Sequence, residues 1–338
     1  MRLLNKISIV CGICFFASLD ASAQQLGYSQ YFINLPSENA GFTGIEDFLD
    51  FKMGSKQGWS DFSNVNSSVF VSAYGMLNKP LKQMVKNNAL RVGDPSSFDK
   101  IITNKKLRRK HGLGGFVKSI ALGPYKTSAI NINYAYHLPI SKQLTWSLGT
   151  KIGADFENVD LSNFTVRDEV NDTFFQELLN SNEGRRTSLI TDFGTVLYSN
   201  KFYLAISTYN MISTSINSDN LLDHTRLPRY QFLVGKVVNL NENLALSLGG
   251  QTFYSESYDS NWMVNARLKY RSILYFGGAY ENETKFSVLA GLMSQGKFSA
   301  HYAYNNYLRD LSSFSVSSHE FIIGVFIFNK YAADAKLW

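Results

Sequence analysis

Residues 129 to 157, AININYAYHLPISKQLTWSLGTKIGADFE, keep one rule for almost their whole length: every second residue is apolar or aromatic. Ile130, Ile132, Tyr134, Tyr136 and Leu138 form one such row. After a proline-containing break, Leu144, Trp146, Leu148, Thr150, Ile152, Ala154 and Phe156 resume it. Between them stand Asn131, Asn133, His137, Thr145, Ser147, Lys151, Asp155 and Glu157. A period of two puts alternate side chains on opposite faces of a strand, so the stretch predicts two long adjacent strands, each with an oily and a polar face.

The pattern recurs to the end of the chain. Phe202, Leu204, Ile206 and Thr208 share a face, as do Leu244, Leu246, Leu248 and Gly250. Trp262, Val264, Ala266, Leu268 and Tyr270 oppose Asn261, Asn265, Arg267 and Lys269, and Phe298, Ala300, Tyr302 and Tyr304 oppose Lys297, Ser299, His301 and Asn305. The alternation predicts fourteen strands, near 48–58, 64–77, 112–122, 125–138, 143–157, 187–199, 201–212, 229–239, 243–255, 260–270, 272–282, 285–294, 297–306 and 319–328.

These runs are longer than the ~5–6 residues usual in soluble sheets and match the ~9–11 that a tilted strand needs to cross a bilayer. Lipid leaves no partner for an unpaired backbone group, so such strands must close on themselves. The expectation is an all-β, transmembrane, antiparallel up-and-down β-barrel of about 14 strands in a bacterial outer membrane, oily residues towards lipid and lipopolysaccharide. Connection lengths agree. PISK, SNK, NLNEN, a tight turn near Arg271 and SQGK are short, whereas 158–186, 213–228 and 307–318 are long; the short set belongs on the periplasmic side.

The N-terminus predicts export. Arg2 and Lys6, an apolar run from Ile7 to Leu19 and Ala21-Ser22-Ala23 make residues 1–23 a cleaved signal peptide. Both cysteines, Cys11 and Cys14, lie within it and lack the context of a lipoprotein cysteine, so the mature chain carries no thiol chemistry. Residues 24–47, with NLPSEN and GFTG as turn chemistry, read as an N-terminal arm that plugs or braces the lumen. Residues 48–328 form the barrel, and 329–338 a C-terminal tail.

The chain's net charge of +6 is concentrated in one place. Residues 78–111 hold ten Lys or Arg against two Asp, a local +8, so the remainder is acidic on balance. This basic excursion interrupts the barrel on the periplasmic side and ends in KKLRRK. Lys105, Lys106, Arg108, Arg109 and Lys110 either face anionic lipid headgroups or dock an acidic periplasmic partner. Nucleic acid is not a partner for an exported chain.

No catalytic or cofactor constellation emerges. His111, His137, His224, His301 and His319 show no metal-ligand spacing, and His137 and His301 fall on lumen faces. Asp155 and Glu157 share a strand face, but no nucleophile or orienting group joins them; pairing with Lys151 or Arg267 is the simpler role. The strand glycines Gly149, Gly153, Gly249, Gly277, Gly278, Gly291 and Gly324 match no phosphate loop and read as sites of curvature or close approach by a plug. The sequons at Asn66, Asn163, Asn171 and Asn282 are chance matches in a bacterial protein.

Several motifs occur in a familiar order. Tyr28-Ser29-Gln30-Tyr31 with Asn34, then Asn39-Ala40-Gly41-Phe42-Thr43-Gly44, resembles the F-S-Q-Y-x-x-N and N-P-A-Y-A-G opening of the PorP/SprF family of Bacteroidetes outer-membrane proteins, without its second-motif proline. Gln57-Gly58-Trp59 is similar to the family's Q-W element with one residue inserted. GLGGFVKSIALGP, ending in Gly123-Pro124, resembles its glycine-rich strand and turn. Tyr134-Ala135-Tyr136-His137 resembles its Y-A-Y-H signature, and SHEFIIGVFIF its closing strand. The resemblance implies a non-catalytic barrel of the type IX secretion and gliding machinery. It would anchor or help export a surface adhesin or cargo protein bearing a C-terminal targeting domain, or link periplasmic ring components of the secretion motor to the outer membrane. The alternative that the alternation equally permits is a general diffusion or nutrient porin.

Overall fold

The structure, a computed structural model, describes residues 27–59, 67–77, 109–141, 143–159, 173, 176, 184–218, 227–256, 260–271, 273–294, 297–308 and 317–329. Residues 1–23, expected to be a signal peptide, Lys105, Lys106, Arg108, most of the 158–186 connection and residues 330–338 lie outside them. Fifteen strand segments are described: β1 (Leu49–Trp59), β2 (Ser67–Met76), β3 (Lys110–Leu122), β4 (Tyr125–Pro139), β5 (Thr145–Val159), β6 (Arg185–Tyr198), β7 (Phe202–Tyr209), β8 (Ile212–Ser218), β9 (Arg229–Asn239), β10 (Leu244–Ser255), β11 (Asn261–Tyr270), β12 (Leu274–Glu281), β13 (Lys285–Ser294), β14 (Phe298–Tyr307) and β15 (Ser317–Ile327).

The segments make fourteen staves. β7 and β8 are the two halves of one stave, since both pair with β6: Gly194–Tyr198 with β7, Arg186–Thr191 with β8. The break falls at Asn210, whose φ of 55° turns the backbone out of the strand. All neighbours are antiparallel, and β1 pairs with β15 from Leu49↔Ile327 to Trp59↔Ser317, closing the barrel.

Two sequence-based boundaries need correction. The seventh strand, expected at 201–212, continues to Ser218, so its loop begins at 219 rather than 213. Ile212, Thr214 and Ile216 maintain the alternation after the break, with Ile212 and Ile216 more than half exposed. The basic excursion also ends earlier than residue 111. Lys110 and His111 already belong to β3, opposite His137 and Tyr136 of β4, and Arg109 is exposed just before it.

The faces sort by chemistry. Ile130, Ile132 and Tyr134 are exposed on the outside of β4, while Asn131, Asn133, Ala135 and His137 point inward and are buried. Val264 and Leu268 of β11 face out; Asn265, Arg267 and Lys269 face in. An eleven-residue strand tilted by about 40° rises roughly 28 Å, enough to cross the apolar core of an outer membrane. Its mouths differ. One carries the connections 140–144, 199–201, 240–243, 271–273 and 295–297, the 77–109 connection and the C-terminal end of β15; we term it the turn mouth. The other, the loop mouth, carries 60–66, 160–184, 219–228, 308–316 and the Gly123-Pro124 turn.

Eight strands already suffice for side chains to fill a barrel, so fourteen leave an axis that wall side chains alone do not reach. Residues 28–48 occupy it. They form a 3-10 turn (Tyr31–Asn34), a single α-helical turn (Leu35–Glu38) and a second 3-10 turn (Ala40–Phe42). Tyr31, Phe32, Ile33, Leu35, Phe42 and Ile45 of this arm join Phe70, Val196, Tyr203, Leu233, Tyr275 and Ile322 of the wall in one apolar cluster.

Candidate functional site

Residues 27–30 meet a buried cluster of charges at the barrel seam. Glu320 on β15 is fully buried; its carboxylate accepts from the backbone N–H of Ser29 at 3.0 and 3.1 Å and of Gln30 at 3.4 Å. Asn305 Nδ2 donates to the same group at 2.9 Å, and Lys56 Nζ of β1 lies 3.4 Å away. The Gly27 carbonyl accepts from Lys56 Nζ at 2.8 Å and Lys285 Nζ at 3.3 Å, and Lys285 in turn pairs with Glu281 at 3.0 Å. The first and last strands therefore meet through the start of the arm. Ser29 Oγ adds a bond to Asn305 Oδ1 at 2.7 Å.

In the middle of the arm, side chains from both sides interlock. Tyr31 OH accepts from Asn265 Nδ2 at 2.9 Å, and Tyr275 OH donates to Gln30 Oε1 at 3.2 Å. The Arg267 guanidinium lies 3.5 Å from the centroid of the Phe32 ring and donates to Ser247 Oγ at 2.9 Å. A desolvated cation over an aromatic face contributes about 2 kcal/mol, part of what offsets burying that charge. Backbone carbonyls that the short helical turns leave unpaired find wall donors: Asn133 Nδ2 to Pro36 O at 2.7 Å, and Tyr209 OH to Glu38 O at 2.7 Å.

Residues 39–44 sit where the wall has no side chain. A Cβ on Gly112 of β3 would lie 1.9 Å from the Thr43 carbonyl oxygen, and one on Gly149 of β5 2.4 Å from the Ala40 carbonyl carbon. One on Gly194 of β6 would lie 2.1 Å from Asn39 Oδ1. Gly44 itself has φ +74°, a conformation glycine adopts without strain, and packs on Gly112. Asn39 Nδ2 donates to Ile206 O at 2.9 Å, and Ser147 Oγ to Gly41 O at 2.7 Å. His137 Nε2 donates to Thr43 O at 2.7 Å; because a carbonyl only accepts, that nitrogen carries the proton, and Nδ1 accepts from Tyr198 OH at 3.0 Å. At the turn mouth Phe48 packs on Phe326, centroids 4.9 Å apart.

The arm divides the interior. Towards the loop mouth lies a cavity of about 370 Å³, bordered by Gly27, Glu38, Lys118, Lys151, Arg229 and Phe253 among others. Towards the turn mouth lies a smaller cavity of about 50 Å³, beside Gly44, Asp50 and His301. In the larger cavity Arg229 lies beside the rings of both Tyr209 and Phe253, 5.1 and 5.0 Å from their centroids, and Lys151 is 4.6 Å from that of Tyr209.

The residues singled out by sequence fall into three groups. Tyr28, Ser29, Gln30, Tyr31, Asn34, Asn39 and Gly44 are all in the arm and buried or closely packed; Tyr28 OH donates to Ser68 O at 2.9 Å, and Asn34 Oδ1 accepts from Ser72 Oγ at 3.4 Å. Ala135 and His137 face the arm, whereas Tyr134 faces outward and bonds His111 Nδ1 at 2.7 Å, with the Tyr136 ring 5.2 Å from that of His111. Trp59 ends β1, and Gly123 (φ 55°) and Pro124 form the two-residue turn between β3 and β4. Of the basic docking candidates described, Lys110 pairs with Asp47 at the end of the arm, and Arg109 is exposed. Lys151 pairs with Asp192 at 2.7 Å. The reason is register: Lys151 and Asp192 are direct partners across β5 and β6, while Asp155 lies about 13 Å further along the strand.

Glu320, Lys56 and Lys285 stand at inward positions that the sequence does not mark as a site, and Asn265 and Ser147 are marked there only as polar-face residues. The only sign they carried was that parity. Among the described residues no group of three or more His, Cys, Asp or Glu could hold a metal ion.

A family model described as "Type IX secretion system membrane protein PorP/SprF" matches residues 21–325. Comparison with curated proteins gave no match. Among solved structures the chain is similar to the Ralstonia pickettii toluene transporter TbuX, at 10% identity and a TM-score of 0.50, over 91% of this chain and 96% of that one. A Pseudomonas aeruginosa FadL homologue is similar at 9% identity and a TM-score of 0.48, over 86% and 93%. At such identity the likeness to TbuX is one of outer-membrane barrel fold, which by itself assigns no cargo.

Proposed function

The chain belongs to the PorP/SprF family of type IX secretion system membrane proteins, and from that premise we propose that it works by holding rather than by chemistry. In this reading the barrel anchors a secreted surface adhesin or cargo protein, or ties the periplasmic ring of the secretion motor to the outer membrane. The family and the fold are those of secretion and transport barrels rather than of enzymes.

The observation that carries the reading is the filled interior. A barrel wide enough to conduct spends its polar inward face on its own arm, bonding Gly27, Ser29, Gln30, Pro36, Glu38, Gly41 and Thr43 through the backbone. A diffusion pore has no use for such matched contacts. The surfaces left for partners are the two mouths. We assign the loop mouth to the cell surface and the turn mouth, with the basic 77–109 connection, to the periplasm.

The test is an affinity pull-down from mildly solubilised outer membranes, with retained proteins identified by mass spectrometry. Recovery of a large surface protein, or of periplasmic ring components, supports the reading and says which branch applies. A barrel that comes down alone in several mild detergents, and conducts small solutes with its arm in place, moves the assignment to a porin.

A further inference from the structure

Along its length the arm contacts successive levels of the wall, and the order of those levels gives its direction. Gly27 is held by Lys56, three residues short of the end of β1 at the loop mouth, and by Lys285, the first residue of β13 after the 282–284 turn at the same mouth. Tyr31 and Phe32 meet Asn265 and Arg267 near the middle of β11. Thr43 meets His137, two residues before β4 ends at the turn mouth, and Phe48 meets Phe326 beside the end of β15. These levels run from the loop mouth at Gly27 to the turn mouth at Phe48, with Ser37 and Glu38 turning back to border the loop-side cavity.

We infer that the arm threads the barrel with its start towards the loop mouth, so that the chain around Gly27 is reachable from the cell surface and not from the periplasm. The assignment of that mouth to the surface rests on the orientation given under the proposed function; the threading itself does not. Gly27 borders the 370 Å³ cavity, and a Cβ built on it meets no atom of the described residues within 4 Å. Among the described residues, a side chain at this position therefore projects into open space on the loop side of the arm.

The start of the arm is bonded to Lys56 on the first strand and Glu320 on the last, the two strands whose pairing closes the barrel.

The cysteines of the sequence, Cys11 and Cys14, precede the arm, so single thiols report cleanly on sidedness. Gly27→Cys, Glu283→Cys at the loop mouth and Glu242→Cys at the turn mouth are exposed in turn to a membrane-impermeant maleimide on intact cells. The expected result is labelling of Gly27→Cys to the extent of Glu283→Cys, with Glu242→Cys reacting only after permeabilisation. An epitope inserted ahead of Gly27 gives a second reading, through antibody binding to intact cells. Protection of both the thiol and the epitope on intact cells, with Glu283→Cys labelled, overturns the inference. Should Glu242→Cys label and Glu283→Cys stay protected, the orientation of the barrel is reversed. The threading then stands if Gly27→Cys follows Glu283→Cys and falls if it follows Glu242→Cys.

Discussion

Glu320→Gln is the smallest change that unfastens the arm without altering the shape of the wall. The carboxylate accepts from two arm N–H groups and from Asn305, and sits 3.4 Å from Lys56 with no exposure to solvent. An amide of the same outline keeps one acceptor but turns a donor towards groups that themselves donate. It also leaves Lys56 and Lys285 facing Glu281 alone. Removing one partner of a buried ion pair costs about 3–5 kcal/mol, because the remaining charge stays buried. At a tenfold change per 1.4 kcal/mol, protection of the Ser29 and Gln30 amides falls by about two to nearly four orders of magnitude. The assay is hydrogen–deuterium exchange on the lipid-reconstituted barrel, read on arm peptides with β4 and β5 peptides as the internal reference. Asp47→Asn is the contrast: it breaks the Lys110 pair at the other end of the arm, where the Asp47 side chain is half exposed, and such pairs contribute about 0–1 kcal/mol. Arm protection in Glu320→Gln within tenfold of the parent, or equal losses in the two variants, would refute the clamp.

The glycine seat makes a second prediction. Gly112→Ala puts a methyl 1.9 Å from the Thr43 carbonyl and should lower the heat-modification temperature of the barrel, whereas Gly250→Ala, 3.4 Å from Val234 Cγ1, should leave it within a few degrees. Equal behaviour of the two would mean that the arm yields at no cost. Trimming residues 24–47 should raise single-channel conductance in planar bilayers, and an unchanged conductance counts against the arm as a plug. Reversing the charges of Lys105, Lys106, Arg108, Arg109 and Lys110 should weaken secretion or motility while barrel assembly stays normal; unaffected secretion and motility sink the docking role of that segment.

Strand parity was legible because the membrane enforces it. Asn265, Arg267 and Lys269 had to face away from lipid, and a one-residue slip of β11 would have placed three polar groups in hydrocarbon. The break at Asn210 was less legible, since a single residue at positive φ leaves no mark on the alternation around it. Which inward residues form the clamp was not readable at all. Glu320 meets Ser29 across 291 residues of sequence, and nothing in SHEFIIG distinguishes a carboxylate that holds an arm from one that faces water. Glycines were ambiguous for the same reason. Gly149 faces arm atoms and Gly249 both Asn265 of β11 and Tyr31 of the arm, whereas Gly153, Gly277, Gly291 and Gly324 face neighbouring strands, and the sequence alone makes them alike.

A polar inward face has two physical justifications, and they differ in what they ask of each residue. A water-filled pore needs side chains that solvate well, with no one-to-one relation to anything inside. An irregular segment at membrane depth needs a partner for every backbone group that its short helical turns leave unpaired, because neither lipid nor bulk water will supply it. Here the relation is close to one-to-one. Lys56 and Lys285 serve Gly27, Glu320 serves Ser29 and Gln30, and Asn133 serves Pro36. Tyr209 serves Glu38, Ser147 serves Gly41 and His137 serves Thr43. Removing the arm would strand all of these wall groups at once, each unmet buried partner costing about 1–3 kcal/mol unless water enters to replace it. Such a wall is built around its own arm rather than around a column of water.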